Sequence, residues 1–213
     1  MKEDIASIRK EYSQASLDID SVHKSPFKQF EQWFQEALVS DILEPNAMVL
    51  GTVDTAGQSF QRTVLLKSFD EIGLVFYTNY SSRKAQHMEN NTRVSLLFPW
   101  YPLERQVIIT GEAQKVTKKE SLAYFLSRPR GSQLGAWVSH QSQVINSRSL
   151  LEKKLHEMKE KFKDGKIPLP DHWGGFRVVP SSFEFWQGRP SRLHDRVMYE
   201  KQNALWDISR LSP

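Results

Sequence analysis

The 213-residue sequence has no cysteine, which excludes disulfides, thiolate metal sites and a cysteine nucleophile. No apolar run approaches the roughly 20 residues of a membrane-spanning helix, and the opening MKEDIASIRKEY lacks the apolar core of a secretory signal. A cytoplasmic protein with no membrane partner is therefore expected. Neither G-x-G-x-x-G nor G-x-x-x-x-G-K-[ST] occurs, so no Rossmann dinucleotide site and no P-loop are indicated. Without H-E-x-x-H or a comparable ligand spacing, no metal is expected either. A strong charge of one sign is also missing: 29 basic residues against 25 acidic leave a net charge of +4. That surplus fits local patches, which suit a small anionic ligand at least as well as nucleic acid.

The chain does carry ample core material, with 39% hydrophobic and 11% aromatic residues. Residues 1–24 are polar and weakly patterned and read as an N-terminal arm. A helix is predicted from Ser25 and Pro26, with Phe27, Phe30, Phe34, Leu38 and Ile42 recurring along one face. Between 47 and 116 the pattern changes to strands: AMVLGTVD, FQRTVLLK, GLVFYT, RVSLLF and RQVIITGEAQKV, separated by short turn signals. Short connections imply antiparallel neighbours. Thr117 and Glu120 have capping-box spacing at the start of TKKESLAYFLS, and a further helix after INS carries Leu151, Leu155, Met158 and Phe162 on one side. FRVVPSSFEFWQG and SRLHDRVMYEK read as two last strands. The expectation is a mainly β fold, an antiparallel barrel with surrounding helices, in one domain over 25–213.

Five stretches could carry chemistry. In YTNYSSRKAQ a strand ends at Thr78, and a helix starting near Ser82 gathers amide N–H groups, Arg83 and Lys84, a good setting for a phosphate. A capped surface helix with solvated basic residues reads equally well. In RTVLLK, Arg62 and Lys67 would point to opposite faces of a strand by strict alternation. Tyr124 and Arg128 share one side of a helix that Pro129 ends, and Gly131 would let the backbone turn so that Ser132 approaches them. An ordinary helix end explains the same residues. Gln141 and Ser142 in WVSHQSQ are neutral hydrogen-bonding groups of a polar loop. In RLHDR, an extended backbone would put Arg192, His194 and Arg196 on one face, where three cations repel unless an anion lies among them. Pairing with Asp195 and nearby carboxylates is the alternative.

In this order RTVLLK, FYTNYSSRKA, PLERQV, SRPRGSQLGAWVSHQS, WGGFRVVP, FEFWQG and RLHDR resemble the pyridoxamine 5′-phosphate oxidase family. The likeness runs from RKEY, residues 9–12, to WDISRLSP at the C-terminus. It implies a homodimer of FMN-binding split β-barrels with FMN at the subunit interface. The implied activity is oxidation of pyridoxamine or pyridoxine 5′-phosphate by O2 to pyridoxal 5′-phosphate, releasing H2O2 and, from the amine, ammonia. The positions it implies for FMN are Arg62, Thr63, Val64, Leu65, Leu66, Lys67, Tyr77, Thr78, Arg83, Lys84, Gln106, Gln141, Ser142, Trp186 and Arg196, some of them from the partner chain. For the substrate it implies Lys67, Tyr124, Arg128 and Ser132 around the phosphate, with Arg192 and His194 as catalytic residues over the ring and reacting carbon. Arg9 and Tyr12 match a segment that can fold over the substrate, so the arm over 1–24 is expected as a lid. On this reading the cationic face of RLHDR lies between two phosphates and the flavin. The chain departs in GRPS before RLHDR and at His140, where a lysine is common; neither is a carried position.

A non-oxidase flavin-binding split barrel, such as a flavin reductase or flavin carrier, would keep the FMN positions without needing Tyr124, Arg128, Ser132 and RLHDR together. A nucleic-acid-binding barrel would interleave aromatics with basic residues on one exposed strand face. Here the aromatics fall in helix stripes and apolar strands instead, and no nucleic-acid partner is expected.

Overall fold

The computed structural model describes residues 4–8, 10–139 and 141–213. Internal contacts divide these residues into two units, one from 1–50, 95–111 and 180–213, the other from 51–94 and 112–179. The strands are β1 (Ala47–Val53), β2 (Ser59–Leu65), β3 (Ser68–Phe69), β4 (Leu74–Asn79), β5 (Arg93–Trp100), β6 (Arg105–Lys115), β7 (Trp173–Gln187), β8 (Asp195–Gln202) and β9 (Leu205–Leu211). Their hydrogen-bonded order is β2-β1-β5-β6-β7-β4-β3, with β8 beside β7 and β9 beside β8. The registers of β3 with β4, β4 with β7, β7 with β8 and β8 with β9 are all antiparallel, as the short connections predict. Five helices accompany them: α1 (Pro26–Leu38), α2 (Arg83–Asn90), α3 (Lys118–Ser127), α4 (Arg130–Val138) and α5 (Arg148–Lys161). Among the described residues no helix is long and apolar enough to cross a membrane.

In the first unit α1 begins at Pro26, as the sequence predicts, but its buried face is Phe27, Phe30, Trp33 and Ala37. Leu38 is exposed and Ile42 lies beyond the helix, because the chain leaves α1 at Val39, where Ser40 Oγ donates to the Ala37 carbonyl at 2.8 Å. Phe30 packs on Phe98 at 5.0 Å between ring centroids, and Trp33 meets Phe185 edge-on at 5.3 Å. Alternation along β5 and β8 brings Leu96, Phe98, Trp100, Val197 and Tyr199 into the same core. The terminal WDISRL, which has no clear strand signal, is β9, joined to β8 by a turn at Asn203 with φ 58°. Asparagine tolerates that left-handed conformation better than most residues.

Glu104 ties the arm to this unit. It follows the tight turn Tyr101–Leu103, has φ 55°, and is only 3% exposed. Its carboxylate accepts from the Ser13 and Gln14 N–H groups at 2.9 and 3.1 Å and pairs with Lys10 Nζ at 3.1 Å. Burial pushes its pKa up, but the Gln14 N–H, Lys10 and the Ser13 N–H outweigh that and hold it below the usual carboxylate range. Farther along, Arg189 Nη1 donates to the Ala15 carbonyl at 3.0 Å, and Leu17 N–H donates to Asp195 Oδ2 at 3.0 Å. Tyr12 then lies over Gly188, where an added Cβ would come within 2.7 Å of its ring.

In the second unit the capping box forms as predicted, with Glu120 N–H donating to Thr117 Oγ1 and the Thr117 N–H to Glu120 Oε2. The turn expected at Gly131 does not form. Pro129 ends α3 and at the same time starts α4, its carbonyl accepting from the Ser132 and Gln133 N–H groups at 2.9 and 3.1 Å. Gly131 therefore sits inside a helix. The helices pack around Phe125, Leu134, Ala136, Ile167 and Trp173, with Leu155, Met158 and Phe162 half-buried against them.

Because Glu104 has a depressed pKa, its hold on the arm is complete above the ordinary glutamate range and is lost as pH falls through the lowered value. Glu104→Ala should free the arm at neutral pH without unfolding the remainder. Limited proteolysis followed by mass spectrometry should then show cleavage between residues 4 and 17 about tenfold faster than in the parent protein.

Candidate active site

The strand β4 is buried along most of its length, and the chain reverses sharply after it. Asn79 makes the reversal: its Oδ1 accepts from Ser81 N–H at 2.7 Å, its carbonyl accepts from Ser82 N–H at 3.1 Å, and its Nδ2 donates to the Ser139 carbonyl at 2.9 Å. Helix α2 therefore starts at Arg83, and Lys84 folds back under it, 9% exposed. Lys84 Nζ donates to Gln141 Oε1 at 2.7 Å and to Thr78 Oγ1 at 3.1 Å, with Ser82 Oγ at 3.5 Å. All three partners are neutral. Burial, with Arg62 repelling, lowers the Lys84 pKa to about 8.

Thr78, Lys84 and Gln141 border a cavity of about 1030 Å³ in the second unit. Its cationic lining is Arg62, Lys67, Arg83, Lys84 and Arg128, and no carboxylate is among its lining residues. Thr63, Val64 and Leu65 form part of the same wall. Arg62 and Lys67 do not diverge as strict alternation predicts, because β2 ends at Leu65 and Lys67 N–H already bonds to the Val75 carbonyl at 2.9 Å. Leu66 breaks with its neighbours: it is 4% exposed in the core and does not line the cavity. Arg62 has its pKa lowered by burial and then by Arg83.

Elsewhere in the cavity wall are Tyr124, Arg128 and Ser132, together with Tyr77, Thr78, Gln141 and Ser142. The Arg128 guanidinium lies 4.6 Å from the Trp173 ring centroid. Its Nη1 is buried and has no hydrogen-bond partner among the described residues. Burial lowers its pKa, opposed by Tyr124. The Tyr77 ring stacks on Tyr124 at 4.0 Å and on Trp173 at 5.5 Å. That stack needs the WGGF glycines. Gly175 is opposite Tyr77 in the β4–β7 ladder, and a Cβ there would come within 2.8 Å of the Tyr77 and Val116 side chains. A Cβ on Gly174 would meet Tyr80 Oη at 2.2 Å.

The first unit holds RLHDR, and here alternation fails. The strand β8 begins only at Asp195. Arg192 closes a tight turn, Pro190–Arg192, in which Ser191 and Arg192 have φ 55° and 60°, so the three cations do not form one strand face. Arg196 alone stands on β8, where its Nε donates to Glu184 Oε1 at 2.8 Å and its Nη1 to the Ser212 carbonyl at 2.8 Å. The Glu184 bond raises its pKa. His194 Nδ1 accepts from Arg189 N–H at 3.1 Å, and its ring packs on Trp186 at 4.6 Å and Tyr12 at 5.8 Å. Burial, then Arg192, lowers the His194 pKa against the pull of Asp195. Lys10, Tyr12, Arg189, Arg192 and His194 border a cavity of about 350 Å³ in this unit. Gln106 is half-buried on β6. Arg9 and His140 lie outside the described residues.

Sequence reasoning passed over Asn79, Trp173 and the Thr52–His87 pair behind Arg62. The paired glycines beside Trp173 were the available signal, since glycine in a strand interior marks close approach. Chemically, a cavity with five cations, neutral hydroxyl and amide groups and a ring stack suits planar phosphorylated molecules. Among the described residues no cluster of His, Asp or Glu is placed to hold a metal ion.

A family described as pyridoxamine 5′-phosphate oxidase matches residues 34–162, and one described as pyridoxine 5′-phosphate oxidase C-terminal dimerisation region matches 173–213. Pyridoxine/pyridoxamine 5′-phosphate oxidase of Crocosphaera subtropica is 58% identical, over 99% of this chain and 100% of its own. The protein of the same name from an Enterobacter species is 53% identical, over 98% of this chain and 96% of its own. Among solved structures, PhzG from Burkholderia lata, in complex with tetrahydrophenazine-1-carboxylic acid, superposes with a TM-score of 0.87 at 27% identity. It covers 93% of this chain and 100% of its own.

Gly175→Ala should destabilise the protein by about 1–3 kcal/mol, because Tyr77 and Val116 must both yield. Thermal melting should fall by several degrees; an unchanged melting temperature would mean that the stack has slack.

Proposed function

The chain belongs to the pyridoxamine 5′-phosphate oxidase family, and from this we infer that it oxidises pyridoxamine or pyridoxine 5′-phosphate with O2, using FMN. Pyridoxal 5′-phosphate and H2O2 are the products, with ammonia released from the amine. The protein works as a homodimer, residues 173–213 matching the family's dimerisation region. The observation that carries the reading is the buried Arg128 Nη1, unpartnered in a cavity with four further cations and no carboxylate in its lining. A phosphate oxygen supplies the acceptor that this N–H lacks, and a second phosphate fits Lys84 and its neighbours. The residues present therefore fit FMN and a phosphorylated substrate. A cytoplasmic location, an arm over 1–24 acting as a lid and a single domain over 25–213 belong to the same proposal. Recovery from a membrane fraction would remove the first of these.

FMN would be held at the subunit interface by Arg62 to Leu65, Lys67, Tyr77, Thr78, Arg83, Lys84, Gln141 and Ser142, with Gln106, Trp186 and Arg196 contributing from one chain or the other. The charged groups neutralise its phosphate, and Thr78 and Gln141 orient Lys84 for that task. Bound there, FMN would supply the two-electron redox chemistry between substrate and oxygen that no side chain of this protein provides. Lys67, Tyr124, Arg128 and Ser132 fix the substrate phosphate, so that the reacting carbon is oriented by binding energy from a remote group. The resemblance assigns Arg192 and His194, from one chain or the other, to that carbon. The lowered pKa of His194 favours its neutral form, and the Arg189 N–H on Nδ1 then puts the ring proton on Nε2. It can therefore donate from Nε2 while Arg192 stabilises developing negative charge. The arm that carries Tyr12 is the cover that would keep water out.

The reading is tested by the absorbance spectrum of the purified protein, followed by pyridoxamine 5′-phosphate without oxygen. Flavin bands should bleach and return with air, leaving pyridoxal 5′-phosphate; a yellow protein that does not bleach would favour a flavin carrier, and a protein that cannot be reconstituted with FMN would remove the reading altogether. Arg192→Leu should lower kcat about a hundredfold while FMN affinity stays within about twofold. Lys84 binds phosphate as an ammonium, present below about pH 8 and lost as pH rises through that value. The FMN Kd of apoprotein should accordingly rise between pH 7 and 9.5, and Lys84→Met should weaken binding and remove this rise.

A further inference from the structure

We propose that His87 is a positioning residue for Arg62, acting through the hydroxyl of Thr52. The proposal rests on the reading of Arg62 as a residue that holds FMN. Arg62 on β2 donates from Nη1 to Thr52 Oγ1 on the adjacent β1 at 2.7 Å. The same Oγ1 lies 3.0 Å from His87 Nδ1 on α2. Thr52 is 1% exposed and His87 8%, so both side chains of this chain are buried.

The direction of the bond from Arg62 follows from donor and acceptor inventory. A guanidinium has donors only, so Thr52 Oγ1 accepts from Arg62. In the proposed relay the hydroxyl proton goes to His87 Nδ1, with the ring proton on Nε2. A hydroxyl that donates to an acceptor becomes a better acceptor itself, which tightens the bond from Arg62. Arg62 needs such a tether, because burial and Arg83 both disfavour its charge at this place. His87 is itself fixed by the Phe60 ring at 5.0 Å, and the Arg83 guanidinium lies 5.5 Å from that same ring. One short helix thus presents Arg83 and Lys84 from its first turn and, from its last, sets the position of a third cation carried by a strand.

His87→Phe keeps an aromatic ring against Phe60 and removes the acceptor; His87→Asn restores an acceptor near the Nδ1 position. Thr52→Val removes the hydroxyl from β1 at nearly constant shape. FMN titration of each apoprotein, read by quenching of flavin fluorescence, should give a Kd raised about tenfold for His87→Phe and for Thr52→Val. The double variant should be no weaker than either single one, since both break the same chain. His87→Asn should stay within about twofold of the parent protein. A folded His87→Phe protein that binds like the parent, or a His87→Asn protein as weak as His87→Phe, overturns the proposal. If His87→Phe does not fold, Thr52→Val decides by the same criterion. Arg62→Ala separates the two levels of inference: weakened binding there with normal binding in His87→Phe and Thr52→Val removes the relay alone, and normal binding in Arg62→Ala removes the role of Arg62 and the relay with it.

Discussion

Positive charge buried without a carboxylate is the constraint on which this site depends. An ammonium or guanidinium taken out of water costs several kcal/mol unless it is paired. Lys84 nevertheless ends on a threonine, a serine and a glutamine, and Arg128 ends on a tryptophan face with one N–H unmet. Neutral partners orient a cation but do not discharge it, and the lowered pKa values of Lys84, Arg62 and Arg128 are the direct expression of that debt. A carboxylate would have relieved the folded chain and spoiled the site, since it would compete with any incoming phosphate. On the proposed function, the charges that make the apoprotein less comfortable are the ones a phosphorylated cofactor and substrate would satisfy, and binding would then also stabilise the fold.

Such charges stay in place only because the backbone around them is unusually determined. The Asn79 side chain closes the turn into α2, the Tyr77, Tyr124 and Trp173 rings form one stack, and glycine opposite Tyr77 leaves the stack its room. The end of β2 matters as much. Had the strand continued through Lys67, alternation would have separated Arg62 and Lys67; its stop at Leu65 lets both line the cavity while Leu66 turns into the core.

What the sequence made legible follows the same division. Strands with strong β-branched and aromatic content, the capping box at Thr117 and the Pro26 start were readable because each rests on local chemistry. Likewise, the stretches holding Arg83, Lys84, Tyr124, Arg128 and Ser132 could be picked out by residue type and spacing. Places where one tertiary contact overrides a local rule were not readable. Pro129 normally ends a helix, and nothing in SRPRGS says that its carbonyl also starts the next one. Period two applies to RLHDR only if it is a strand, and the two left-handed residues Ser191 and Arg192 remove that premise. His87 had no motif at all, because its significance lies in a hydroxyl 35 positions earlier in the chain.

The turn at Ser191 and Arg192 also shows why a mispredicted strand need not mean a misread function. Two consecutive non-glycine residues with positive φ cost of order 1–3 kcal/mol each and persist only where the surroundings hold them. Here the holding groups are identifiable. Arg189 gives its backbone N–H to His194 on one side of the turn, while its guanidinium reaches Ala15 of the arm and lies 3.5 Å from Asp195. Asp195 in turn accepts from Leu17 of the arm and from Arg210 of β9. The arm, the turn and the strand are thus fixed by the same two side chains, and Arg192 leaves the turn in a direction that a regular strand would not give it. A strand would have presented three cations at equal intervals; the strained turn keeps Arg196 on Glu184 and leaves Arg192 and His194 at a cavity that Tyr12 of the arm also lines. Local order is given up where two groups from a short stretch of chain border one cavity.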